Sequence, residues 1–66
     1  MNVVVNGKAR VVPTGATVAD LVEALGLTAR NVVVEHNGEP LERARLPDVK
    51  LDRDDVVEIV RAVPGG

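Results

Sequence analysis

The chain has 66 residues, 45% of them hydrophobic, with no aromatic residue and no cysteine. That is one small domain near the size where a single core is marginal, and neither disulfides nor a cysteine-based zinc site can staple it. Eight Lys and Arg against ten Asp and Glu leave a net charge of −2, which argues against nucleic acid, where a basic face and stacking rings are expected. No apolar run approaches the ~20 residues that span a bilayer, and "MNVVVNGKAR" has no signal-peptide cleavage pattern, so a cytoplasmic protein is expected. Stability has to come from branched aliphatic side chains. Valine, which loses little rotamer freedom on burial and suits a pleated surface, recurs throughout.

In chain order, "NVVVNGKARVV" places an Asn6-Gly7 pair between two apolar runs. Asn-Gly favours the positive φ angles of a two-residue hairpin turn, so strands near Val3–Val5 and Lys8–Val12 are predicted to pair antiparallel. Pro13, Thr14 and Gly15 end the second strand. Thr17 is the expected N-cap of a helix, with Asp20 taking the place of the glutamate in a capping box. Val18, Leu21, Val22 and Leu25 fall at i, i+3, i+4 and i+7, which makes one apolar stripe; Asp20 and Glu23 lie off it. Gly26 is the expected C-terminal cap, and Leu27 folds back on the last turn.

"NVVVEHNGEPL" repeats the hairpin signal, with Asn37-Gly38 after a strand at Val32–Val34. Pro40 cannot donate to a ladder, so the strand after the turn is expected to be short and at an edge. "ERARLPDVKL" reads as an irregular covering loop that tucks Leu46, Val49 and Leu51 under the domain. "DRDD" is a charged turn in which Asp55 is expected to fix the start of the last strand, "VVEIVRAV". One helix covering one face of one mixed sheet is the two-layer plan of a small α+β domain.

Catalytic chemistry is hard to place on this chain. His36 is the only histidine and stands beside the second turn; with no serine or cysteine to activate, an exposed hairpin residue is the expectation. Asp52, Asp54 and Asp55 lack the ligand spacing of a calcium loop. Gly15-Ala16-Thr17 opens a helix without the spacing of a phosphate loop, and Arg43 and Arg45 form a small basic surface spot.

The end of the chain is more informative. The last strand is apolar in both phases: Val57 and Ile59 in one, Val56, Val60 and Ala62 around Glu58 in the other. One helix covers one face, so the second phase is expected to stay exposed as a partner-docking surface. Beyond it, Val63-Pro64-Gly65-Gly66 spans at most ~14 Å when extended. Two residues without side chains let the backbone enter a narrow channel where a Cβ would collide, and what they deliver is the α-carboxylate of Gly66. A carboxylate is a poor acyl electrophile until ATP converts it to an acyl-adenylate, from which a sulfur or nitrogen nucleophile displaces AMP.

With "NG", "TVADLVEAL", "VVVEHNGEPL", "DDVVEIVRAVPGG" and a terminal Gly-Gly, the whole chain resembles the ubiquitin-like β-grasp sulfur carriers of the ThiS/MoaD family, above all the thiamine-pathway branch. Pro64 stands where members often carry a small residue. The resemblance implies a β-grasp domain over residues 1–66, ordered β-β-α-β-(β)-β with four to five strands, a flexible tail at 63–66, and a monomer when free. It also implies a non-enzyme that binds no cofactor itself. An ATP-dependent, ThiF-like adenylyltransferase would activate Gly66, with Val63, Pro64 and Gly65 entering the partner's active site. A cysteine desulfurase relay would supply sulfur for a thiocarboxylate, and a ThiG-like thiazole synthase would receive it. Two other readings suit the same tail, a molybdopterin-pathway carrier and a modifier joined to lysines; a bare adaptor with an incidental Gly-Gly is a further one.

Overall fold

The computed structural model describes residues 1–62. The first hairpin joins β1 (Asn2–Val5) to β2 (Lys8–Val11), antiparallel, with Val5 opposite Lys8 and Asn2 opposite Val11. Its turn has φ of 50° at Asn6 and 82° at Gly7, the left-handed pair that a two-residue turn requires. Val12 lies just past β2 rather than inside it, and is buried.

The helix α1 (Val18–Ala24) starts as its sequence dictates. Thr17 accepts from the Asp20 N–H at 3.1 Å, and the Asp20 carboxylate accepts from the Thr17 N–H at 2.9 Å, closing a reciprocal capping box. It ends in a Schellman motif: the Gly26 N–H donates to Glu23 O and the Leu27 N–H to Val22 O, with Gly26 at φ 74°. Val18, Leu21 and Val22 are buried and Leu25 is half-buried, so the apolar stripe faces the sheet.

A short 3₁₀ turn (Ala29–Asn31), which no sequence signal announced, leads into β3 (Val32–His36). That strand runs two residues beyond the expected Val32–Val34, because Glu35 and His36 pair with Glu58 and Val57. The second hairpin repeats the first at Asn37 (φ 50°) and Gly38 (φ 85°) and delivers β4 (Glu39–Leu41), a three-residue strand containing Pro40 at the sheet edge. The expected irregular cover is partly regular: Arg43–Asp48 is 3₁₀-helical, with Leu46 buried inside it. Residues 49–51 then lie along the entry to α1, where the Val18 N–H donates to Val49 O and the Leu51 N–H to Ala16 O. Leu51 is buried and Val49 half-buried.

The last strand, β5 (Val56–Arg61), ends before Ala62, and the expected Val63 lies outside the described residues. It occupies the middle of the sheet, whose order is β2-β1-β5-β3-β4; it is parallel to β1 and antiparallel to β3. The core between sheet and helix is Val3, Val5, Val34, Val57 and Ile59 against Val18, Leu21 and Val22, with Leu46 and Leu51 closing one end. Each such side chain contributes ~1.5–3 kcal/mol by leaving water, which is how a core without rings holds together.

Candidate functional site

Two asparagines fix β5 at both of its borders. Asn6 is the turn residue of the first hairpin, yet its side chain behaves like another rung of the sheet: Oδ1 accepts from the Ile59 N–H at 2.7 Å and Nδ2 donates to Ile59 O at 3.1 Å. Asn37 plays the corresponding part at the second hairpin, accepting from the Val56 N–H at 2.8 Å through Oδ1 and donating to Asp55 Oδ1 at 3.1 Å. The Asn-Gly signal is legible in sequence as a turn. The second use of each asparagine depends on a strand far along the chain and left no local trace.

Asp55 sits at the head of β5 and is buried. Its carboxylate accepts from the Asp52 N–H at 2.8 Å, from Asn37 Nδ2, and from His36 Nε2 at 2.8 Å. A carboxylate only accepts, so the histidine contact places a proton on Nε2. Burial pushes the Asp55 carboxyl up, but the bonds from His36, the Asp52 backbone and Asn37 together outweigh it and hold the group below its ordinary value. The expectation that Asp55 fixes the start of the strand is borne out: it immediately precedes Val56 and ties the Asp52 turn to Asn37. His36, expected to be exposed, is instead half-buried and belongs to this cluster, because the extra length of β3 turns its side chain towards the Asp52–Asp55 turn. Among the described residues, no group of three or more His, Asp or Glu is placed to hold a metal ion.

The outer face of β5 carries the expected docking residues. Val56, Glu58 and Val60 alternate with the buried Val57 and Ile59; Val56 is 41% exposed and Val60 62%. Ala62 is exposed just beyond the strand, its N–H held by Asn31 O at 2.8 Å. Sequence reasoning missed the neighbour that widens this surface: Val33, 53% exposed, lies directly opposite Val60, and Glu35 lies opposite Glu58. The signal was present in the phase of "VVVEH", since Glu35 marks the solvent phase and Val33 shares it. Val63, Pro64, Gly65 and Gly66, the expected tail and attachment point, lie outside the described residues. Arg43 and Arg45 are exposed on the 3₁₀ segment. No helix is long and apolar enough to cross a membrane among the described residues.

A mixed five-stranded sheet clasped on a single α-helix, with its last strand in the middle, is a β-grasp domain. Residues 3–66 match the model of the ThiS family, and the chain belongs to that family. It is similar over its whole length to a crystal structure of the thiamine biosynthesis protein ThiS from Geobacter metallireducens, with 38% identity, a TM-score of 0.84 and all of that chain covered. The solution NMR structure of a thiamine biosynthesis protein from the same organism has the same identity and a TM-score of 0.82, with 88% of that chain covered. No curated protein matches the chain.

Proposed function

We propose that this protein is a sulfur carrier of thiamine biosynthesis, acted on by partner enzymes and not itself a catalyst. The observation that carries the reading is the ThiS family match over residues 3–66, which includes the Gly65-Gly66 end. The surface supports it: β5, the strand that leads into that end, presents Val56 and Val60 to solvent, where a partner can seat the domain while the tail enters its active site.

The chemistry follows from the carboxylate. The Gly66 oxygen attacks the α-phosphate of ATP in the adenylyltransferase, releasing pyrophosphate and leaving an acyl-adenylate. A protein persulfide charged by a cysteine desulfurase then displaces AMP to give an acyl disulfide. A second thiol of the sulfur donor cleaves the S–S bond, becoming a disulfide itself and freeing the terminal thiocarboxylate, which gives up its sulfur to thiazole synthase. Glycine at the last two positions keeps that carbonyl unhindered. The chain has no thiol of its own, so cargo sulfur has one place to reside.

The test is intact-mass spectrometry after incubation with a ThiF-like adenylyltransferase, ATP and a sulfur donor. The expected product gains the mass difference between sulfur and oxygen, and a chain lacking Gly66 gains nothing while keeping its melting temperature. An unmodified wild-type chain, or equal modification of the truncated one, overturns the proposal.

A further inference from the structure

At the other edge of the sheet, a groove of about 440 Å³ runs between β2 and the C-terminal end of α1, lined by Val5, Lys8, Ala9, Arg10, Leu25 and Leu27. Its floor is apolar, since Leu25 and Leu27 are half-buried against the core. Its rim is cationic. Lys8 and Arg10 lie opposite Val5 and Val3, so they share the phase of those core residues and stand on the helix side of the sheet. Among the described residues neither has a carboxylate within ion-pair distance.

β2 is also an open edge. Val4, opposite Ala9, sends its N–H away from β2 to Asp55 O at 2.8 Å, and Asn2, opposite Val11, accepts from the Asp54 N–H. In an antiparallel pair the facing residues do likewise, so Ala9 and Val11 turn their own N–H and C=O groups outward to solvent. The outer side of the same strand carries Val11, 77% exposed.

We propose that this groove is a second docking surface, which takes an extended acidic segment of a partner protein as an added strand on β2. Outward backbone groups supply the ladder. A leucine of the incoming strand rests on Leu25 and Leu27, glutamates two positions to either side of it reach Lys8 and Arg10, and β-branched residues between them meet Val11 on the outer side. A second copy of this chain is a poor occupant, because pairing two β2 edges antiparallel brings lysine and arginine against arginine and lysine. The groove lies on the helix side of the sheet, away from the exposed valines of β5, and the inference does not depend on the carrier chemistry.

The experiment uses the full chain, labelled with ¹⁵N, and a blocked peptide of glutamate, valine, leucine, valine and glutamate flanked by serines. Saturable amide shifts are expected at residues 8–11 and 25–27, weakening with added salt. The double variant Lys8→Glu/Arg10→Glu is expected to bind about tenfold more weakly or worse, because it exchanges two attractive charge contacts for two repulsive ones. Ala9→Pro removes an outward N–H while sparing the ladder to β1, and is expected to abolish the shifts with the spectrum otherwise intact. No saturable shift, shifts centred on Val33 and Val60, or unchanged binding by the charge-reversed variant overturns the proposal. Should either variant lose its dispersed spectrum, Lys8→Gln/Arg10→Gln replaces it, with the same weakening expected and unchanged binding again fatal to the idea.

Discussion

β5 holds two populations of the same residue. Val57 is fully buried and Val60, three positions on, is 62% exposed. Their intrinsic preferences are identical, so the difference comes wholly from what covers each face: α1 and the Arg43–Leu51 segment on one side, solvent on the other. Composition therefore misleads on this strand, while phase informs. A hydrophobic residue on the covered side holds the fold, and the same residue on the open side is available to a partner.

Substitution by aspartate breaks the comparison most sharply. Val57→Asp buries an unpaired charge and is expected to unfold so small a domain outright. Val60→Asp is expected to change stability by no more than ~0.5 kcal/mol, while weakening binding to the proposed adenylyltransferase partner. Urea melts and titration against that enzyme check both; equal destabilisation by the two would place Val60 in the core.

A smaller effect is expected at the head of the strand. Asp55→Asn keeps the shape but weakens the bonds from His36 and Asp52, and a loss of about 1–3 kcal/mol is expected. The folded-state carboxyl lies below its ordinary value of 3.8, so its contribution is complete above that value and is lost as pH falls through the lower folded one. Acid melts between pH 5 and 2 should therefore be shallower for the variant than for the parent; superimposable slopes would remove the carboxylate from the account. Next in size is the helix start, where Thr17→Ala is expected to cost ~1 kcal/mol by opening the capping box, read as a lowered midpoint in urea. The smallest effect is at Val33: Val33→Ser is expected to leave the melt almost unchanged and to weaken the complex with the proposed adenylyltransferase partner, and no change in affinity would confine the proposed docking surface to β5.

Much of this was legible from local pattern. Asn6-Gly7 and Asn37-Gly38 announced both hairpins, Thr17 to Leu27 announced a helix with both caps, and Pro40 marked an edge strand. What stayed hidden is non-local. The length of β3 is set by its pairing to β5, so the expected strand ends at Val34 although Glu35 and His36 are in register with Glu58 and Val57. His36 looked exposed because its partner, Asp55, lies 19 residues away. The groove at β2 was invisible for the same reason, since Lys8 and Arg10 meet Leu25 and Leu27 only once the helix has packed. At the proposed docking face, the phase of β3 marks Val33 as solvent-facing, but only the register sets it beside Val60.

The placement of β5 between β1 and β3 has a consequence for how the molecule comes apart. Without that strand the sheet is two separate hairpins, β1-β2 and β3-β4, each too small to persist alone in water. Opening is thus all-or-none at the centre and graded only at the rims. Amide protons of Val57 and Ile59 should exchange with deuterium through complete unfolding, whereas those of Ala9 and Val11 exchange from the intact protein.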